Sequence, residues 1–426
     1  MILYQNVNVV PMSRPAVLYN QNVLVDGNMI AYVGRDLPET APSCRVVDGE
    51  GGYLIPGLCD MHVHLETLLD SGDYCAGITK KPGRPGVDWN AYLKVYLARG
   101  VTQVRNMSGT PEILRVRDEI EAGKREGPHI YSLSPIIDGP APLWKTNQET
   151  TTPEESVRAV REAKRRGYDG IKVYNNLSVD QFDALLKAAE EEGLTVSGHV
   201  PIAVSLDHCL ASSFCSYEHA KAITRGYLDQ AAALHKVMTP TLVTQRSMDF
   251  YHDKAACKRM LTLGEKRHMS PEALNTWREI CGMLAGHDFR LDRTYEEYRA
   301  DMCRFLRGGG ILLAGTDAAF PFAIPGYSLH EELCELAAGG LSAYEVLESA
   351  TRVPAEFMGL ADRRGTITPG KEADMVLLAA NPLEDIGNTT EIRGVSFQGR
   401  WYDSDGLARL LNDADEETGK YDRRGK

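Results

Sequence analysis

The chain has 426 residues, 43% of them hydrophobic and 25% charged, with 39 glycines and 21 prolines. This is a globular composition that excludes disordered, collagenous and fibrous classes, at a length suiting two or three domains or one large α/β barrel with a smaller companion. Lysine and arginine total 47 against 59 acidic residues, a net charge of −12, so a polyanion such as nucleic acid is repelled and is not expected as a partner.

Residues 1–14 lack a basic start, an apolar core and a small-residue cleavage site, and no run approaches the roughly 18 apolar residues of a membrane span. A cytoplasmic protein with no membrane partner is expected. The nine cysteines are scattered, odd in number and free of any C-x-x-C pair, which predicts reduced thiols rather than a disulfide framework or a thiolate-bound zinc.

Residues 1–56 alternate as short strands with turn punctuation: Asn6 to Val10, Val17 to Tyr19, Val23 to Val25 closed by Asp26-Gly27, and Met29 to Val33. From Leu58 to about residue 362, apolar runs alternate with long charged helical stretches. The runs are Cys59 to Leu65, Val101 to Met107, His129 to Ile137, Gly170 to Tyr174, Thr195 to Val200, Phe214 to His219, Met238 to Val243 and Ile311 to Asp317. Such a series predicts a (β/α)8 TIM barrel with long loops. Helices are predicted over Pro153 to Arg166, opening from Thr151-Thr152-Pro153-Glu154-Glu155 as a capped first turn, and over Val179 to Glu192, ending at Gly193.

Strand character returns in Gly365 to Ile367, Met375 to Leu378 and Gly394 to Trp401. The expected organisation is an α/β protein with a small discontinuous β-sandwich domain from residues 1–56 and 363–405, a barrel over 57–362, and a tail over 406–426. The tail alternates charge and predicts a surface helix or a frayed end. Two loops are long enough to be lids, Asp70 to Asp88 and Asp138 to Thr152, while Arg246 to Tyr298 reads as a helical insertion that covers the site or forms an oligomer contact.

The densest local signal is Asp60-Met61-His62-Val63-His64 at the end of the first barrel strand. Side chains alternate along a strand, so His62 and His64 face the same way, roughly 7 Å apart along the backbone, and two imidazoles so placed can hold one metal ion. His199, His219 and Asp317 each end another apolar run, which is where barrel enzymes assemble their sites. Lys172 lies inside a buried strand, at a desolvation cost unless paired or neutral. As a neutral amine it can take up carbon dioxide as a carbamate able to bridge two ions, and an ion pair with Asp169 or Glu218 is the alternative.

The order His62-x-His64, Lys172, His199, His219, Asp317 resembles the amidohydrolase superfamily, in its binuclear, carbamylated-lysine form. Similar phrases are Leu54-Ile55-Pro56-Gly57-Leu58-Cys59-Asp60, Gly315-Thr316-Asp317, and Gly365-Thr366-Ile367 through Pro369-Gly370-Lys371-Glu372-Ala373-Asp374. The resemblance implies that His62, His64 and Asp317 bind the more buried of two divalent ions, that His199 and His219 bind the second, and that carbamylated Lys172 bridges them. Zinc is the first expectation, with manganese, iron, cobalt or nickel sharing these ligands. A hydroxide between the ions would be the nucleophile, with Asp317 the catalytic residue that takes its proton and passes it to the leaving group.

Asp169-Gly170-Ile171-Lys172, Ser197-Gly198-His199, Glu218-His219 and His330-Glu331-Glu332 look like the imidazolonepropionase-like and prolidase-like branch, although Val200-Pro201-Ile202-Ala203 departs from the Ala-His-Gly continuation of prolidase-like relatives. The implied reaction is hydrolysis of an amide in a small-molecule substrate, a dipeptide or N-acyl amino acid. A mononuclear deaminase, or a cyclic-amide (imidazolonepropionase-type) or lactone hydrolase, is the alternative, and an inactive scaffold is a third. Candidate substrate contacts are Tyr174, Tyr217, His330 and Asn106 by their positions at strand ends and loops, and Arg225 and Arg246 as carboxylate clamps. A homo-oligomer is expected.

Overall fold

Short β-branched runs near both chain ends pair with one another rather than with the strands of the central region. The structure, a computed structural model, describes residues 1–65, 90–142, 146–284 and 293–424. Ile2–Val9, Leu18–Asp26 and Met29–Gly34 form an antiparallel meander. The first of these strands changes partner along its other edge: Ile2 to Gln5 pair with Arg45–Asp48, and Asn8 to Val9 with Tyr53 and Leu54. Tyr53–Pro56 then pairs with Met375–Leu378, followed by Ile392–Phe397 and Arg400–Tyr402, giving one ladder of eight strands. Its apolar face buries Tyr4, Val7, Val9, Val25, Leu54, Met375 and Leu377 as a core separate from the main one. Each such side chain contributes about 1.5–3 kcal/mol on burial, enough to hold distant termini together.

Among the described residues the central region holds ten parallel strands, of which the eight in the predicted runs are numbered here β1 Leu58–Val63, β2 Val101–Asn106, β3 His129–Ser132, β4 Gly170–Val173, β5 Thr195–Gly198, β6 Ser216–Glu218, β7 Val237–Thr239 and β8 Ile311–Leu312. β1 to β3 form one parallel sheet; β4 to β8 belong to a second, with the short strands Ile137–Asp138 and Gln148–Glu149 at its edge. Single parallel bridges, Leu133 to Gly170 and Val63 to Ala318, link the two sheets at both seams. This α/β architecture is consistent with a TIM-barrel-type fold. All eight predicted runs contain a strand, but most strands stop early, because the chain leaves the ladder where the site residues begin. The predicted run Met238 to Val243 differs most: it becomes a helix from Leu242 to Met248.

The helices Pro153–Arg166 and Val179–Glu192 have the predicted bounds. Thr152 accepts from the Glu155 amide, Ser178 and Gln181 form a reciprocal cap, and Gly167 and Gly193 end the two helices in the left-handed region. The insertion supplies helices Lys254–Lys266 and Pro271–Leu284. Its Trp277 and Tyr251 pack on Phe322, in the segment after β8, with ring centroids 5.7 and 6.0 Å away.

Of the two forms expected for the tail, the structure shows the helix, and this helix is packed on the rest of the chain. It spans Ser404–Arg424, buries Ala414 against Ala91 and Val95 and pairs Glu417 with Lys94 at 2.6 Å. Charge alternation hid the narrow apolar stripe of Leu407, Leu410 and Ala414. The proposed lid from Asp70 to Asp88, and Trp144 and Lys145 of the other, lie outside the described residues. Among the described residues no helix is long and apolar enough to cross a membrane, and the eight described cysteines are free.

Candidate metal centre

β1 delivers its two histidines to one point. His62 is fully buried and His64 follows the strand end, with their Nε2 atoms 3.3 Å apart and 3.4 and 3.3 Å from Asp317 Oδ1. Asp60 ties this end of β1 to the segment after β8, accepting from the Thr316 amide at 3.0 Å and its hydroxyl at 2.7 Å. Gly315 permits the close approach: a Cβ there would stand 2.8 Å from the His62 amide nitrogen.

His199 follows Gly198, which has a φ of 146° and where a Cβ would stand 2.2 Å from the Val173 carbonyl oxygen, so no side chain is admitted there. His219 and Asp317 themselves have φ of 71° and 64°, values unusual for residues with side chains. Such backbone costs about 1–3 kcal/mol and concentrates at functional sites. At β6 it also breaks the alternation. Glu218 points inward to His62, and the turn at His219 brings the next side chain inward as well; its ring centroid is 4.9 Å from those of His62 and His199.

Each of three rings is anchored through Nδ1: His62 to Glu218 Oε2 at 2.7 Å, His199 to Asn175 Oδ1 at 2.9 Å, and His219 to Thr241 Oγ1 at 2.8 Å. That leaves Nε2 as the remaining ligand atom of each. Burial foremost, then neighbouring positive charge, holds the His62 and His199 imidazoles well below the usual histidine range; burial does the same for His219. Burial alone would raise the Asp317 carboxyl, but the His64 hydrogen bond foremost, with positive charge such as that of Lys172, holds it below its usual range. Neutral imidazoles beside an ionised carboxylate are the donor forms a divalent ion requires, so the residues fit such an ion. His62, His64 and Asp317 form a group able to hold one.

Lys172 is 1% exposed on β4, and its charge acts on His62, His199, His219 and Asp317. Of the carboxylates expected as alternative partners, Asp169 binds Arg117 and the Ser132 amide, and Glu218 binds Arg105 and His62. Tyr174 joins the group, its ring centroid 4.2 Å from that of His199.

The other predicted contacts have different places. Asn106 is buried and structural in its contacts, accepting from the Leu65 amide at 2.9 Å and donating to the Ser108 carbonyl at 2.6 Å. Tyr217 faces Phe214, centroids 5.0 Å apart, because the turn at His219 sends it to the opposite side. Arg225 pairs with Glu297 at 2.8 Å, and Arg246 with Glu335 at 2.5 Å and Glu331 at 3.0 Å. His330 hydrogen-bonds Thr389 and the Arg99 carbonyl, which precedes β2 and so lies at the opposite end of the strands.

Sequence reading missed Arg105, Asn175, Thr241 and the anchoring contact of Glu218. It also missed Lys221, on the turn Ala220–Ala222 after His219, whose charge reaches His199, His219 and Asp317. Arg105 had a signal, an arginine in the apolar run Val101 to Met107, the same kind of signal that singled out Lys172.

The model of the Amidohydrolase family matches residues 53–402. Adenine deaminase of Clostridium perfringens is 21% identical over 367 residues, which are 85% of this chain and 53% of that protein, so this chain spans about half its length. Ochratoxinase of Aspergillus niger is 22% identical over 424 residues, 89% of this chain and 81% of that one. A solved Xaa-Pro dipeptidase with bound methionine in its active site has the same fold, with a TM-score of 0.74 at 21% identity, covering 95% of this chain and all of its own. The chain belongs to the Amidohydrolase family. It is an enzyme of the hydrolase class.

Proposed function

We propose that this enzyme is a binuclear metal-dependent hydrolase cleaving the amide bond of a dipeptide or N-acyl amino acid. The observation that carries the reading is the convergence of His62, His64, His199, His219 and Asp317 around buried Lys172, with three rings anchored at Nδ1. His62, His64 and Asp317 would hold one ion and His199 and His219 the other, with a carbamate on Lys172 shared between them. An ammonium beside four histidines repels positive charge, whereas a carbamate attracts it, and this supports the modified form. Zinc suits the ligand set, as do other first-row ions.

When bound, the ions supply Lewis acidity and lower the pKa of water. Asp317, ionised and hydrogen-bonded to His64, would accept a proton from the attacking water and return it to the departing nitrogen. Tyr174, its ring 4.2 Å from that of His199, would donate to the substrate carbonyl or carboxylate. The single bridges at both seams support closure of β1 to β8 into a barrel, and the change of partners along Ile2–Val9 supports a sandwich-like end domain. Free thiols support a cytoplasmic setting.

A specific observation favours a second reading. Among the described residues the tight three-residue ligand group of the site is His62, His64 and Asp317, which suits one ion and hence a deaminase, cyclic-amide or lactone hydrolase. Lys172→Ala separates the two. The binuclear reading expects the second ion to be lost and hydrolysis of a dipeptide and N-acyl amino acid panel to fall to background. Near-normal turnover in that variant contradicts it.

A further inference from the structure

Arg105, in β2, has no solvent exposure. Its Nε donates to the Met61 carbonyl at 2.6 Å, and one terminal nitrogen donates to Glu218 Oε1 at 2.8 Å and Thr239 Oγ1 at 2.9 Å. The other approaches Ser197 Oγ at 3.5 Å, so one guanidinium touches residues of β1, β5, β6 and β7. Glu218 is equally committed: Oε1 also accepts from the Ser216 hydroxyl at 2.7 Å, and Oε2 lies 2.7 Å from His62 Nδ1.

Stability alone does not explain this pair. Taking two ions out of water costs about as much as their attraction returns, and apolar side chains of similar volume commonly serve a core as well or better. What apolar residues cannot provide is an anchored carboxylate at one nitrogen of His62. A carboxylate acceptor requires the proton on Nδ1, which leaves the lone pair on Nε2, the atom 3.3 Å from His64 Nε2 and 3.4 Å from Asp317 Oδ1.

We propose that Arg105 and Glu218 are positioning residues: Arg105 holds the Glu218 carboxylate, and Glu218 fixes His62 as the Nδ1–H tautomer with Nε2 presented to the ion that His64 and Asp317 share. The inference rests on the metal reading above and extends it to the chain's own interior. Arginine suits this role because its planar fork reaches several acceptors at once, which the single ammonium of lysine does not.

The test uses the full chain, stripped of ions and titrated with cobalt(II), in wild type, Glu218→Gln, Arg105→Met and Arg105→Lys. In Glu218→Gln and Arg105→Met one binding site weakens by about 10–100-fold and the other by less than about threefold, with Arg105→Lys in between. Nitrogen-15 shifts of His62 in the ion-free wild type, at about pH 8 where imidazole is neutral, report Nδ1–H. The inference is overturned by a folded Glu218→Gln whose isotherm matches wild type. Equal weakening of both sites with a lowered melting temperature marks a purely structural role and also overturns it. If the variants do not fold, the wild-type tautomer decides, and His62 protonated at Nε2 overturns the inference without them. A wild type that binds no cobalt overturns the metal reading and this inference together; binding that the variants leave intact overturns only the inference.

Discussion

Among the described residues, two places gather the residue types that bind metals, and they differ in what surrounds them. One is the centre of His62, His64 and Asp317. The other is His129 with Glu372 and Asp374, where the start of β3 meets the segment leading to Met375–Leu378 of the end sheet. There, His129 Nδ1 is 2.5 Å from Glu121 and Nε2 is 3.0 Å from Asp374, so both ring nitrogens are spent on carboxylates. Arg363 and Arg364 both bind Glu372, and Arg364 also reaches His129. Every acid there has a cation in the protein. At the first centre each anchored ring spends one nitrogen and keeps the other for the middle of the site. Ligand types alone thus do not separate a metal site from an ionic lock; the destination of the second ring nitrogen does.

The comparison breaks most severely at Asp317. Asp317→Asn is expected to lower kcat by about 10²–10⁴-fold, the usual share of a general acid–base group, measured on whichever amide of the panel wild type hydrolyses. At the lock the expected loss is of stability instead. Arg364→Met removes one of the two arginines that hold buried Glu372, leaving Arg363 and, at 4.0 Å, His129 Nε2, so the loss is expected to be below the roughly 3–5 kcal/mol of a buried pair broken outright. Denaturant unfolding should show this loss while metal content per folded chain stays at the wild-type value.

The lock also carries a pH signature. Burial alone would lower the His129 pKa, but Asp374 and Glu121 raise it above the usual histidine value, while the Asp374 and Glu121 carboxyls are held below theirs despite burial. A raised folded-state value means that protonated His129 stabilises the fold fully below about pH 6.5, its unfolded value, and that this contribution fades as pH rises through the folded value. The carboxylates act in the opposite direction: their contribution is present above about pH 4 and is lost as pH falls through their depressed values. The melting-temperature difference between wild type and His129→Gln should therefore be largest at mildly acidic pH and shrink toward alkaline pH. A difference that grows above neutrality contradicts the assignment. The smallest expected effect is at Thr241→Val, which removes the Nδ1 partner of His219 and should weaken metal uptake by about tenfold in an equilibrium titration, with little change in melting temperature.

Much of this architecture was legible in the residues. Apolar runs marked the eight numbered parallel strands because both faces of such strands are buried, and helix caps such as Thr152 and Gly193 set boundaries that the structure reproduces. The ligand candidates were legible because each ends an apolar run. Strict alternation worked for His62 and His64 but failed for Tyr217, since a left-handed residue at His219 reverses the face and no sequence rule announces it at a histidine. Arg225 and Arg246 read as free cations because Glu297, Glu331 and Glu335 are distant in the chain and adjacent only once folded. Asn175 and Thr241 are short polar residues in loops, indistinguishable from turn formers until the ring nitrogens beside them are seen.

The most direct measurement is metal content per chain by elemental analysis, on protein reconstituted with zinc and bicarbonate and freed of loosely held ions. The binuclear account predicts about two equivalents in wild type and a loss of one on Lys172→Ala. About one equivalent in wild type, unchanged by that substitution, would contradict it and favour the mononuclear chemistry.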